Sequence, residues 1–111
     1  MAVSEEYINY LMEQLKPVGE INSRKMFGGV GIFKQGKMFG MLNSKNTFLL
    51  KVDESNIQDY KSRGMSPFTH EKNKNSKMPY YEVPVEVIED TEQLKIWAEK
   101  SIKIAIPSSE L

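Results

Sequence analysis

The stretch Arg24 to Gly40, RKMFGGVGIFKQGKMFG, sets Gly28, Gly29 and Gly31 within four positions, between methionines and aromatics. Glycines inside an apolar run mark a strand that is interrupted, bent or closely approached by another backbone. Val30 and Ile32 alternate with Gly31 and Phe33 at the period of two that a strand requires. Gln35-Gly36 then makes a two-residue turn, with Gly36 supplying a left-handed backbone that glutamine resists. Lys37 to Leu42 returns as the next strand, and Asn43 to Asn46 is a second turn. Thr47 to Val52 is the third strand of this meander, with Phe48, Leu50 and Val52 on one face. Ile21 to Phe27 supplies a further strand before the glycines.

The same segment contains GIFKQGK, Gly31 to Lys37, which has the spacing of a phosphate-binding loop. Such a loop needs Ser or Thr next, to hold magnesium, and a helix whose amides face the phosphates. Met38 stands there instead, the downstream pattern is strand, and Ile32 and Phe33 belong in a core. Gly29-Val30-Gly31 opens a dinucleotide fingerprint, but Lys34 replaces its third glycine. Both patterns therefore resolve to a hairpin.

Outward from the meander, Ser4 is an expected helix N-cap, with Glu5 and Glu6 suited to the positive helix end. Val3 and Ile8 can form a hydrophobic staple. Tyr7, Ile8, Leu11, Met12 and Leu15 make one apolar stripe, which Pro17 and Gly19 end. After the meander, Asp53 is expected to cap a short helix reaching about Arg63, with Ile57 and Tyr60 inward. Gly64 and Met65 suit a Schellman ending. Pro67 to Lys72 and Met78 to Val83 read as two more strands joined by the polar loop Asn73 to Ser76. Pro79 and Pro84 lack an amide hydrogen, so the second of these strands is expected at an edge or irregular. Asp90 and Gln93 form a capping box for a last helix, with Leu94, Trp97, Ala98, Ser101 and Ala105 on one face and Pro107 as its stop. The order helix, meander, helix, hairpin, helix predicts a single α+β domain over residues 1–111, a two-layer fold with helices on one face of an antiparallel sheet.

The chain has 111 residues, no cysteine, and 15 basic against 15 acidic side chains. That length buries a core without staples. Without cysteine there are no disulfides, thiol nucleophiles or thiolate metal sites. Acids near the N-terminus do not suit a secretory signal, and no apolar run reaches the roughly 18 residues of a membrane span. A cytoplasmic location without membrane attachment is expected. Lys61 to Lys77 carries five bases (Lys61, Arg63, Lys72, Lys74 and Lys77) against Glu71, while Glu82 to Glu99 carries six acids against Lys95. Tyr80-Tyr81 lies near Lys72, Lys74 and Lys77, and aromatics among bases can stack nucleotides. Nucleic acid is thus an alternative partner, though zero net charge does not favour it. His70 has only Glu71 close by, and neighbouring strand residues point to opposite faces. Glu5-Glu6 and Glu89-Asp90 sit at helix starts, where acids interact with the dipole. No catalytic set, metal site or cofactor is expected from these groups. Arg24 is a candidate for an anion, a small molecule or a partner carboxylate. Most of the methionines are expected in the core, and an exposed subset would make an adaptable protein-binding surface.

RKMFGGVGIFKQGKMFGML, followed by FLLKVDESN, PF, MPYYEVP and EDTEQLKIWA, resembles the N-terminal domain of the TfoX family, also called Sxy. The resemblance runs from about Ile8 to Ala105 and rests most on Arg24, Met26, Phe27, Gly28, Gly29, Gly31, Gly36, Met38 and Phe39. It implies a two-layer α+β fold similar to the secretion-chaperone-like group. It also implies transcriptional regulation of bacterial competence through protein contacts, with those motif residues mainly structural and none catalytic. Full-length members continue into a helical C-terminal domain, and this chain ends at Leu111, so a stand-alone N-terminal domain is expected. A protein partner follows, or a homodimer made by pairing edge strands across a two-fold.

Overall fold

The computed structural model describes residues 4–26, 28–70 and 73–106, with the backbone alone at 68–70 and 73–79. Helix α1 (Glu5–Gln14) leads through a 3-10 turn into strands β1 (Asn22–Met26), β2 (Gly29–Lys34), β3 (Lys37–Leu42) and β4 (Phe48–Lys51). Helix α2 (Ile57–Lys61), strands β5 (Pro67–His70) and β6 (Asn73–Glu82), and helices α3 (Val85–Ile88) and α4 (Thr91–Ala105) follow. All strand pairs are antiparallel, in the order β1-β2-β3-β4-β6-β5. The expected α+β, two-layer arrangement holds. Leu11 of α1 and Leu15 at its C-terminal end, Val87 and Ile88 of α3, and Leu94, Trp97, Ala98 and Ile102 of α4 pack with Val30, Ile32, Phe39, Leu42, Phe48 and Leu50 of the sheet.

Helix ends explain how these elements are placed. Ser4 caps α1 by accepting from the Tyr7 amide at 3.3 Å. Gln14 donates to the Ile88 carbonyl at 2.9 Å and ties α1 to α3. Met65 and Gly64 donate to the carbonyls of Tyr60 and Lys61, the Schellman pattern, with Gly64 at φ +72°. Asp53 does not cap α2 as expected. Its carboxylate accepts from Ser55, and its carbonyl accepts from the amides of Asn56 and Ile57, so it builds the turn that precedes the helix. The staple at Val3 and the stop at Pro107 lie outside the described residues.

Asp90 accepts from the amides of Glu92 and Gln93, and the Gln93 side chain donates to its other oxygen at 2.9 Å. The Gln93 side chain and backbone together hold this carboxyl below its ordinary value of 3.8. A lowered carboxylate pKa contributes stability above the unfolded value and loses it as pH falls through the folded one. Asp90→Asn should therefore melt below the wild type at neutral pH. The two melting temperatures should converge as pH falls below 3.8 and through the lowered folded value, where the wild-type charge is also lost.

One further expectation is corrected and two are narrowed. Asn73 to Ser76 is strand, not loop: it belongs to β6, and Asn73 pairs with His70 of β5. Ladder pairing overrides the weak strand preference of asparagine and serine. β6 is also interior, between β4 and β5, whereas Pro79 suggested an edge. The irregular alternative holds, because the β5–β6 register shifts between the Pro67 and Thr69 pairs and β4 pairs only with Tyr80 to Glu82. Pro79 sits in that gap, where its missing amide hydrogen breaks no rung of the β4 ladder. Finally, Gln35 also adopts a left-handed φ, +51°, beside Gly36 at +78°. A two-residue hairpin whose turn matches strand twist requires positive φ at both positions.

The open face of the sheet

Register defines the face turned away from the helices. Arg24 pairs with Gly31, Gly31 with Met41, Met41 with Leu49, and Leu49 with Glu82. Directly paired residues share a face, so this row crosses five strands. The neighbouring rows add Met26, Phe33 with Met38, and Lys51 with Tyr80. Leu49 and Tyr80 are buried, yet neither belongs to the cluster beneath the helices. The sheet is therefore apolar on both sides.

A bulge in β3 makes this possible. Ile32 pairs with Gly40 but Phe33 pairs with Met38, leaving Phe39 as an extra residue. One extra residue inverts the side-chain alternation. Phe39 and Leu42, three apart, both enter the core. Met38 and Met41, also three apart, both turn to the open face. Gly31 forms the floor: a Cβ there would lie 2.8 Å from the Met26 sulfur, 2.9 Å from the Met38 sulfur and 2.9 Å from the Phe33 ring. The two thioethers and the ring close over the space that a side chain would fill.

Arg24 lies on this surface with its guanidinium 4.8 Å from the Phe33 ring centre. A stacked guanidinium is oriented, and its donors remain available for a carboxylate or phosphate. Lys25 points the other way and pairs with Glu5 of α1 at 3.0 Å, both largely exposed. Tyr80 reaches over β4 to donate to the Met38 carbonyl at 3.4 Å, and burial raises its phenol pKa. Its ring is thus not presented for base stacking.

Lys72 lies outside the described residues, as do the side chains of His70, Lys74 and Lys77. Arg63 pairs with Glu86 at 3.3 Å, donates to Gln93 at 3.1 Å and stacks on Trp97. One base of the basic run is thereby spent on the acidic run. A shallow groove of about 470 Å³ between α1 and Gly19 to Ile21 contains none of the expected site residues.

Of the nine motif residues, Arg24, Met26, Gly31 and Met38 converge on the open face. Gly28 (φ +77°) and Gly36 serve turns, Gly29 lies against the β3 backbone, Phe39 is in the core, and Phe27 is outside the described residues. The sequence profile of the TfoX N-terminal domain matches residues 13–105, which cover all nine. The chain belongs to the TfoX N-terminal domain family. No curated protein matches the chain. Within this TfoX N-terminal domain, sequence reasoning missed Phe33 and Met41 as surface partners of the motif. The missed signal was the unequal spacing of Met38, Phe39, Met41 and Leu42, which no strict period of two accommodates. Among the described residues no helix is long and apolar enough to cross a membrane.

Proposed function

We propose that this domain is a non-enzymatic protein-interaction module, acting in the cytoplasm in transcriptional regulation of the competence type. The observation that carries this is the cluster of Arg24, Met26, Phe33, Met38 and Met41 around the Gly31 floor. Thioethers adapt to varied partner shapes, an aromatic ring adds contact area at low entropic cost, and a stacked arginine adds a directional polar contact. These are contact groups, placed on rigid strands. The family membership supports the regulatory setting, and four motif residues on one surface support contact as its means.

Met38 is half-buried on the open face, so Met38→Glu is expected to cost about 1 kcal/mol of stability and leave the fold intact. Affinity capture from the native cell, with wild-type and Met38→Glu proteins as paired baits, tests the proposal. The wild type is expected to retain a partner that the folded variant loses. Equal retention by both would remove the open face from the interaction.

A further inference from the structure

We propose, building on the interaction-domain reading above, that β1 receives an acidic extended segment of a partner protein as an added strand of the sheet. Among the described residues β1 ends the sheet and pairs only with β2. Asn22 to Lys25 are exposed, and alternate residues of an edge strand direct unpaired amides and carbonyls outward. The pairing of β1 with β2 is regular over five consecutive residues. The opposite edge differs: β5 begins at Pro67 and its register shifts twice. Proline and bulges blunt an edge, and β1 has neither.

Charge selects the occupant. Arg24 and Lys25 are adjacent, so they project to opposite faces of the strand. An incoming strand therefore meets a cation on each side of its pleat. Among the described residues no carboxylate comes within 4.0 Å of Arg24, whose guanidinium is held over Phe33. Lys25 has Glu5, but that exposed pair is easily exchanged. A second copy of this chain fits poorly. Two β1 strands paired along their whole length, Asn22 to Met26 against Met26 to Asn22, would set Arg24 opposite itself, and like charges directly opposite one another repel. The same cations that oppose self-pairing favour acids in a partner strand. Met26 and Phe33, on the same face as Arg24, then offer apolar footing to a side chain two positions from the acid that meets Arg24.

The probe is a seven-residue peptide, Val-Glu-Glu-Val-Glu-Glu-Val, whose adjacent acids point to opposite faces of an added strand, titrated into ¹⁵N-labelled full chain. A Lys-for-Glu twin and a twin with a central proline serve as comparisons. The Glu peptide is expected to shift amide signals of Asn22 to Met26 and to slow hydrogen exchange at alternate β1 amides. It should bind roughly tenfold more tightly than the Lys twin at low salt and weaken as salt rises. Arg24→Glu with Lys25→Glu, both exposed, should keep the folded spectrum and reverse the preference. Equal binding of the proline twin, shifts on the open face without slowed β1 exchange, or an unreversed preference would overturn strand addition. So would an oligonucleotide occupying β1 where the Glu peptide does not. Any of these leaves the Met38 comparison standing, because a partner can use the open face without touching the edge. A positive peptide result with no effect of Met38→Glu would separate the two in the other direction.

Discussion

Gly29→Val is expected to lose ~3 kcal/mol of stability, or about 12 °C in Tm, the largest loss of any single glycine substitution in the motif. Three glycines lie close together there, and each is required for a different reason. At Gly29 a Cβ would stand 2.5 Å from the Leu42 carbonyl oxygen, with the Asn43 Cα at 3.4 Å. Those atoms are backbone, and relieving the clash means separating the start of β2 from the end of β3, beside the Val30–Leu42 pair. At Gly28 nothing lies within 4 Å of a Cβ, but φ is +77°. Gly28→Ala should therefore cost about 1 kcal/mol for the left-handed backbone alone. At Gly31 the neighbours are two thioether sulfurs and a ring edge, which can swing outward. Gly31→Ala should cost about 1 kcal/mol or less while displacing Met26 and Met38 on the open face. Urea denaturation of Gly28→Ala, Gly29→Ala, Gly29→Val and Gly31→Ala at unchanged m-value measures the series. If Gly29→Ala costs no more than Gly28→Ala, backbone approach is not what fixes glycine at position 29.

Those distances also show where local pattern stops being informative. Alternation in Val30 to Phe33, the Gln35-Gly36 turn and the stripe of α1 are properties of adjacent residues, so they were legible. The β3 bulge was not, because Phe39 becomes an extra residue only when β3 is aligned against β2. Before that alignment, Met38 and Met41 cannot be assigned to one face, and the site cannot be assembled. The strand at Asn73 to Ser76 fails to read for a related reason: its polar residues carry little strand preference, and only the pairing with β5 holds them extended. Helix α3 was missed because Pro84 looked like the end of a strand. In the structure Pro84 precedes the helix, and its carbonyl accepts from Val87 and Ile88. Arg24 was legible as a candidate, but its orientation depends on Phe33, a residue on the neighbouring strand. Propensity is local, and a sheet surface is a product of register.

Tyr60→Phe is expected to be neutral or to stabilise by up to about 1 kcal/mol, whereas Tyr60→Ala should cost ~3–5 kcal/mol. The two substitutions separate the ring from its hydroxyl. The ring is almost fully buried, meets Trp97 edge-on at 4.6 Å between centres and lies 5.7 Å from Tyr81. Removing it opens a cavity where α2, α4 and the sheet meet. The hydroxyl has no hydrogen-bond partner among the described residues. Ser101 lies close enough to lower its pKa somewhat, but the Ser101 hydroxyl donates at 2.7 Å to the Lys51 carbonyl, which also accepts from Asn56. Burial raises the Tyr60 phenol well above its ordinary value of 10.0, Ser101 pulls it back, and Asp59 adds to the rise. A raised pKa in the folded state means that the stability is whole below the unfolded value. It is then lost as pH climbs above about 10, where the unfolded chain releases the proton first. Wild-type urea midpoints should therefore fall steeply above that pH, and those of Tyr60→Phe less steeply. Tyr7 and Tyr80, both also raised by burial, will leave a residual slope in the variant. Parallel alkaline profiles for the two proteins would mean that the Tyr60 hydroxyl reaches water, and the gain expected on deleting it would vanish with them.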